Sequence, residues 1–137
     1  MSFFARQDKG RIYVLRIVLP DGTVVHKIGM VNTNRSTDRM MELLRSWFTK
    51  YRFVPYTELR LDMETPYPLE LEAHIHNCLA HKAWVPNEKV EGRTEMFENL
   101  DEFRVLHYLK TFNHDLIRDG LVLNGDEYQI IGKLISP

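Results

Sequence analysis

A hairpin signal near the start of the chain constrains its fold most. Residues 11–19 and 23–30 are rich in β-branched and aromatic side chains, and Pro-Asp-Gly separates them at 20–22. This pattern predicts two antiparallel strands. Pro20 suits the second position of a type I turn, and Gly22 can adopt the left-handed conformation that follows it, so a three-residue loop is predicted.

The length of this loop determines the register of the two strands. With three residues in the loop, Leu19 faces Thr23, and counting back along the strands places Tyr13 opposite Gly29. Side chains two residues apart share a face of a strand. Tyr13 and Lys27 are therefore predicted to lie on the same face as diagonal neighbours, whereas a two-residue Asp-Gly loop would place them on opposite faces.

Apolar residues at helical or alternating spacing predict the remaining elements. A helical stripe runs from Met40 to Tyr51. Pro55 favours an edge position or a bent start for the strand around it, and Asn124-Gly125 indicates a second hairpin. The predicted elements are a helix at 36–51, a strand at 52–63, a helix at 67–82, a helix at 101–118 ended by Gly120, and a hairpin formed by LVL (121–123) and EYQII (127–131).

These elements predict a single α/β domain over residues 1–137. It should contain a small, mainly antiparallel three-stranded sheet flanked by helices, followed by a C-terminal helix and β-hairpin. No apolar run approaches the roughly 20 residues that a membrane-spanning helix needs. The single Cys78 excludes an internal disulfide, which fits a cytoplasmic protein.

Charge is distributed unevenly along the chain. The formal net charge is −1, but residues 1–60 hold eleven Lys/Arg against five Asp/Glu, a balance of +6, and residues 61–137 hold seven against fourteen, a balance of −7. This asymmetry predicts one basic face that could meet phosphates. The alternative is that the fold mixes the two halves of the chain again.

Five short motifs follow one another in order along the chain. Two of them lie on the predicted hairpin, one on each of the two helices that follow, and one in the segment before residue 98. They are Arg11-Ile12-Tyr13 (preceded by Gly10), Lys27-Ile28-Gly29, Arg39, Glu72 in the string Glu-Ala-His-Ile-His, and Gly92-Arg93-Thr94-Glu95-Met96-Phe97.

This set of motifs resembles the GIY-YIG nuclease superfamily over residues 11–98. The last motif resembles the Glu-Trp-Phe signature of a virus- and bacterium-associated branch that also has Lys-Ile-Gly as its second triplet. Two positions depart from the superfamily: Lys27 replaces an aromatic residue, as that branch accepts, and Leu43 stands where a histidine is often found. The resemblance implies a nuclease core at 11–98, an extension at 99–137, and a phage or bacterial setting, in the bacterial or host-cell cytoplasm.

The resemblance implies a DNA endonuclease that hydrolyses phosphodiester bonds with a divalent metal ion. Mg²⁺ or Mn²⁺ held by Glu72 would neutralise charge on the scissile phosphate, and Arg39 would hold phosphate oxygens. Tyr13 is implied as the base or water-positioning group; Lys27 would stabilise its ionised form or contact the phosphate itself. His76 lies four residues after Glu72, on a neighbouring helix face.

DNA is the expected partner, and no membrane is expected. Cutting both strands with one site per chain would favour a homo-oligomer. Glu70 lies about 200° around the helix from Glu72, so the two carboxylates are not expected to share a site. Besides Arg39, the predicted DNA contacts are Arg35, Arg45, Lys50 and Arg52.

Each candidate residue also has a plainer interpretation. In isolation they are a half-buried strand tyrosine (Tyr13), a solvated lysine (Lys27), an arginine paired with Asp38 or Glu42 (Arg39), a solvated helix glutamate (Glu72), a packed histidine (His76) and a strand-edge charge (Glu95). The register of the set favours function for Tyr13, Arg39 and Glu72. It leaves Lys27 and His76 evenly balanced and Glu95 mainly structural.

Two other function classes stay open. One is a catalytically silent DNA-binding module that keeps the basic face without turnover. The other is a zinc-stabilised domain, because His74, Cys78 and His81 fall at i, i+4 and i+7 with ligand types that suit zinc. No CxxC motif or second cysteine supplies a fourth ligand, so a buried cysteine beside two ordinary histidines is the favoured interpretation.

Overall fold

A computed structural model of the protein describes residues 10–32, 35–119 and 127–136. Within these ranges, helices cover both faces of one β-sheet. The elements are β1 (Gly10–Val18), β2 (Val24–Val31), α1 (Ser36–Tyr51), β3 (Tyr56–Thr65), α2 (Pro68–Cys78), a 3₁₀-helix (Ala80–Lys82), β4 (Met96–Glu98), α3 (Glu102–Asp119) and α4 (Glu127–Ile135).

The strands form an antiparallel sheet in the order β3-β1-β2-β4. The predicted loop between β1 and β2 is confirmed, because the Leu19 amide donates a hydrogen bond to the Thr23 carbonyl at 2.8 Å and Gly22 has a φ of +89°. The predicted register is confirmed as well, since Tyr13 pairs with Gly29. Local turn chemistry therefore determines which side chains of the hairpin share a face.

Alternate side chains of β1 belong to two separate apolar cores. Ile12 and Val14 pack with α2 and α3, whereas Leu15 and Ile17 pack with α1 around Trp47. Burial on both faces explains why this strand is apolar almost throughout rather than alternating. Among the helices in the described ranges, none is both long and apolar enough to cross a membrane.

The α/β class is confirmed, but the sheet has a fourth strand. The predicted three-stranded sheet lacked β4, which pairs with β2 through Val25 opposite Glu98 and Lys27 opposite Met96. A strand of three residues is too short to show the alternation from which strands are predicted. As Pro55 suggested, β3 lies at the other edge of the sheet.

The C-terminal hairpin was a wrong prediction for the part that the structure describes. Helix α3 agrees with the predicted helix, but residues 127–131 open α4 instead of forming a strand. Ile131 and Ile135, four residues apart, pack on the apolar core that the sheet forms with α2 and α3. A Cβ at Gly132 would lie 2.0 Å from the Cys78 carbonyl oxygen, so this glycine permits the close approach of α4 to α2. Residues 120–126, with the predicted Asn-Gly turn, lie outside the described ranges.

Candidate active site

The Tyr13 and Lys27 side chains meet on the sheet face that α1 covers. Lys27 Nζ donates a hydrogen bond to the Tyr13 hydroxyl, which confirms the predicted diagonal contact. Gly29 makes room for this pair, because a Cβ built there would lie 2.6 Å from the tyrosine hydroxyl oxygen. The glycine of the Lys-Ile-Gly triplet is therefore required by the position of the tyrosine.

Helix α1 brings Arg39 to the same hydroxyl. The guanidinium interacts electrostatically with Tyr13 and pairs with Glu42 at 3.4 Å and Glu91 at 3.6 Å. Burial lowers the pKa of Arg39, but Tyr13 and the two carboxylates outweigh burial, and the net pKa is raised. The Arg39 Nε–H is buried and has no acceptor among the described residues, so one donor of this cation is left for a ligand.

Glu72 and His76 of α2 lie along the edge of β2 beyond the end of β4. Next to the paired residues of β4, the Ile28 amide of β2 donates a hydrogen bond to the Glu95 carbonyl at 3.0 Å. His76 Nε2 donates to the Ile28 carbonyl at 2.7 Å, and the Met30 amide lies near the Glu72 carboxylate, where it acts to lower the pKa of that carboxyl. Residues four apart on a helix rise by about 6 Å and residues two apart on a strand by about 6.7 Å, so this helical pair matches the strand edge.

The surroundings of Glu72 disfavour its negative charge. Burial raises the pKa of this carboxyl from 4.5 to about 7, and the charge of Glu95 contributes to the rise. Lys27, Arg39 and the Met30 amide act in the opposite direction without cancelling it. Glu72 therefore lies within the electrostatic field of both predicted cations, and its charge is only partly compensated.

Glu95 joins this group, although sequence reasoning assigned it a mainly structural role. Its Oε1 lies 3.6 Å from Lys27 Nζ and 3.1 Å from the Cβ position of Gly29. The signal for it was its place in the Thr-Glu-Met-Phe string, one residue before β4. We call Tyr13, Lys27, Arg39, Glu72 and Glu95 the Lys27 cluster.

A turn at Gly92 covers part of the Lys27 cluster. Gly92 has a φ of +73°, and a Cβ there would lie 2.1 Å from Lys27 Cε. Tyr13 and Lys27 are consequently 0% exposed, while Arg39 and Glu72 are half-buried. The tyrosine and the lysine are therefore not part of a cleft that is open to solvent.

His76 packs between the sheet edge and the core. Burial lowers its pKa, against the hydrogen bond to the Ile28 carbonyl, which raises it. Its ring lies 5.3 Å from the Phe97 ring. These contacts support a positioning role for His76 beside Glu72, since its Nε2–H is already used by the strand.

The further residues predicted to contact DNA lie on or beside α1. Arg45, Lys50 and Arg52 are exposed, and no ion pair involves them within the ranges that the structure describes. Arg35 pairs with two carboxylates and lines a small pocket together with Arg39. Among the described residues, Arg45, Lys50 and Arg52 therefore carry uncompensated positive charge, whereas the charge of Arg35 is compensated. Contact of all four residues with DNA stays a prediction.

The alternative zinc site is not assembled. Helix α2 ends at Cys78, so His81 lies in the 3₁₀-helix, and its Nε2 donates to the Ser136 carbonyl at 2.9 Å. His74 stacks on Phe112 with ring centroids 3.8 Å apart. Burial raises the pKa of the Cys78 thiol to about 12 and lowers that of His74 to about 4. In the described ranges no three His, Cys, Asp or Glu side chains are grouped to hold a metal.

Comparison with known proteins identifies one family. The sequence profile of the T5orf172 domain matches residues 10–113. The matched range begins with β1, includes every residue of the Lys27 cluster, and extends past the predicted core into α3. No curated protein and no solved structure matches the chain.

Proposed function

Because the chain belongs to the T5orf172 domain family, we propose that it is a divalent-metal-dependent DNA endonuclease that hydrolyses phosphodiester bonds. The family is phage-associated and linked to GIY-YIG-like nucleases. One observation carries the proposal: Arg39 keeps a buried Nε–H without an acceptor among the described residues, in the field of Glu72, whose charge is disfavoured. Phosphodiester hydrolysis needs such a donor for the phosphate and a carboxylate that a cation would stabilise.

The donor set of the cluster suits Mg²⁺ or Mn²⁺. Glu72 and Glu95 offer hard carboxylate oxygens, and their repulsion, which contributes to the raised pKa of Glu72, would be relieved by a cation. Few protein ligands leave most coordination positions to water and phosphate oxygens, as Mg²⁺ prefers. An ion bound at Glu72 would stabilise negative charge on the phosphate and the leaving oxygen.

The other residues would orient the phosphate and move a proton. Arg39 would hold a phosphate oxygen through its free Nε–H. Tyr13 Oη accepts a hydrogen bond from Lys27 Nζ. Acting as the base, the phenolate oxygen of Tyr13 would take a proton from water as the water oxygen bonds to phosphorus and the bond to the leaving oxygen breaks. His76 would hold the edge of β2 beside Glu72 without touching the substrate.

The burial of Tyr13 and Lys27 supports a second candidate, a catalytically silent DNA-binding module. The turn at Gly92 covers Lys27, and two carboxylates occupy the Arg39 guanidinium. For cleavage, a phosphate has to displace these carboxylates and the turn has to shift. A module in which neither event occurs would bind DNA along α1 and never cut it.

Supercoiled plasmid DNA separates the two candidates. The wild type should nick or linearise the plasmid with Mg²⁺ or Mn²⁺ and leave it intact with EDTA. Glu72→Gln should abolish cleavage, because it removes the carboxylate that would hold the metal. Glu70→Gln is the matched control on the same helix, about 200° around from Glu72, and should cut like the wild type.

DNA binding by the same variants completes the test. Glu72→Gln should bind DNA as tightly as the wild type or more tightly, because a negative charge near the phosphate is gone. Cleavage by Glu72→Gln at the wild-type rate would show that Glu72 does not hold the metal. A wild type that binds DNA but never cuts with any divalent ion would establish the silent module instead.

A further inference from the structure

Four aromatic side chains line a pocket beside the C-terminal half of α1. Trp47, Tyr51, Phe53 and Trp84 share this aromatic pocket of about 420 Å³, a volume typical of small-ligand sites. Trp47 is 2% exposed, whereas the other three residues are half-buried. The aromatic pocket therefore presents ring surface that the core of the protein does not cover.

The rings of the aromatic pocket are held in place by one another and by the backbone. Trp47 stacks with Tyr51 at 4.8 Å between centroids, and Trp84 lies 6.4 Å from Trp47 with the planes 6° apart. The Tyr51 hydroxyl accepts a hydrogen bond from the Glu88 amide at 2.8 Å. Trp47 and Trp84 lie in nearly parallel planes, whereas the Phe53 ring is tilted by 58° to Trp47. A flat ligand can stack on the parallel ring surface.

Positive charge lies next to the aromatic pocket. Lys50 and Arg52 flank Tyr51 in the sequence and are exposed, and Arg45 and Lys50 line a second surface depression together with Glu42. Asp21 is the one acidic residue among the described residues that line the pocket. A ligand that joins a flat ring to a phosphate would use both the rings and the cations.

The position of the aromatic pocket relates it to the Lys27 cluster. Arg39 and Trp47 lie eight residues apart on α1, about 12 Å along the helix, which is the length of a few nucleotides. We propose that the aromatic pocket binds an unstacked nucleobase of single-stranded DNA whose backbone follows α1 towards Arg39. The inference rests on the proposed function, which supplies DNA as the ligand.

Stacking and charge together favour a nucleobase over other flat or apolar ligands. Proline-rich peptides also bind aromatic grooves, but they need not carry the negative charge that Lys50 and Arg52 would attract. Each nucleotide carries a phosphate, and every base has a face that stacks on aromatic rings. Bases in a duplex are already stacked on both sides, so the aromatic pocket should accept only unpaired ones.

Intrinsic fluorescence tests this directly, because the two tryptophans of the chain both line the aromatic pocket. The wild type, in EDTA, is titrated with a short oligothymidylate and with an oligonucleotide of equal length that has no bases. Oligothymidylate should quench tryptophan fluorescence to saturation. The abasic strand should bind, as anisotropy of an end label shows, without that quenching. Equal quenching by both strands would overturn the proposal.

Substitution of Trp84 gives the second measurement. Trp84→Ala should raise the Kd for oligothymidylate by about 5- to 100-fold, the usual effect of losing one stacking partner, and leave the abasic strand unaffected. Phe48→Ala is the matched control, because Phe48 is a 51% exposed aromatic residue of the same helix outside the pocket lining; it should change neither affinity. Thermal unfolding checks that both variants fold, and the wild-type comparison needs no substitution.

Three outcomes separate this proposal from the proposed function. Base-dependent quenching without plasmid cleavage would support nucleobase binding in the aromatic pocket and contradict only the proposed endonuclease activity. Cleavage without base-dependent quenching would contradict nucleobase binding in the aromatic pocket and support the endonuclease activity. Quenching by a proline-rich peptide, lost in Trp84→Ala, together with none by oligothymidylate would overturn the nucleobase in favour of a protein partner.

Discussion

Two polar clusters lie on opposite faces of β2, and they differ in how well their charges are compensated. Lys27 belongs to the Lys27 cluster, whereas the neighbouring His26 points to the other face. There His26 Nε2 donates to Glu102 at 2.9 Å, and Arg60 donates to the same carboxylate at 2.9 Å. We call His26, Arg60 and Glu102 the His26 cluster. Each cluster combines a buried residue of β2, an arginine and at least one carboxylate.

The pKa shifts of the carboxylates show the difference. Burial raises the pKa of Glu102, but hydrogen bonds from His26 and Arg60 outweigh it, and the net pKa is lowered. The pKa of Glu72 is raised to about 7, because burial and the nearby Glu95 outweigh the cations. Strongly perturbed groups are concentrated at functional sites. We therefore expect the compensated His26 cluster to stabilise the fold and the uncompensated Lys27 cluster to bind a ligand.

Replacing the two arginines gives the largest expected difference between the clusters. Arg39→Ala should lower plasmid cleavage by about 10²–10³-fold, because it removes the donor for the phosphate, and it should weaken DNA binding. Arg60→Ala should leave cleavage unchanged and lower the midpoint of urea unfolding. Rates are measured with Mg²⁺ on supercoiled plasmid. Equal loss of cleavage in both variants would break the distinction between the clusters.

A change without any charge tests the geometry of the Lys27 cluster. Gly29→Ala introduces a methyl group 2.6 Å from the Tyr13 hydroxyl and 3.1 Å from Glu95, so both side chains must move. Cleavage should fall by about 100-fold, as expected for displacement by about 1 Å. Gly22→Asn is the control, since no atom lies within 4 Å of a Cβ there and asparagine tolerates a positive φ. Normal cleavage by Gly29→Ala would show that the Tyr13 position is irrelevant.

The two carboxylates should affect stability with opposite signs at alkaline pH. The Glu72 pKa is raised from 4.5 to about 7 in the folded protein. The free energy of unfolding therefore falls as the pH rises from 4.5 to 7 and Glu72 ionises. The free energy of unfolding of Glu72→Gln should therefore exceed that of the wild type by roughly 1–3 kcal/mol at pH 8. At pH 4 the two values should be equal. Because the pKa of Glu102 is lowered, Glu102→Gln should have a smaller free energy of unfolding than the wild type at pH 8. This difference should shrink as the pH falls below 4.5.

Urea unfolding at several pH values measures both differences. Mg²⁺ should raise the free energy of unfolding of the wild type at pH 8 and leave that of Glu72→Gln unchanged, because the ion needs the ionised carboxylate of Glu72 as a ligand. Cleavage at limiting Mg²⁺ should rise as pH passes 7 for the same reason. A destabilised Glu72→Gln at pH 8 would mean that Glu72 is compensated like Glu102, and the two clusters would no longer differ.

The smallest effects are expected from the outer surface of α1. Lys50→Gln and Arg45→Gln should each weaken duplex binding a few-fold and reduce the slope of log K against log salt by about 0.9, the loss of one phosphate contact. Arg16→Gln is the control, because Arg16 is paired with Glu58 at 3.1 Å. An unchanged salt slope in all three variants would place the DNA elsewhere than on α1.

Local interactions were determined by the sequence. Pro20 and Gly22 specify the turn, which places Tyr13 beside Lys27 because strand register depends only on the length of the loop. The apolar stripe of 36–51 predicts α1 with the bounds that the structure has, and this helix carries Arg39. Each of these inferences needed residues only a few positions apart.

Only the tertiary structure decided the contacts between distant segments. It turns Glu95 towards Glu72, places Gly92 over Lys27, and satisfies the edge of β2 with α2. It also makes residues 127–135 a helix, because Gly132 allows close packing on α2. The reason is physical: a carboxylate acquires a pKa near 7, and a lysine becomes buried, through neighbours that are remote in sequence and that no local pattern records.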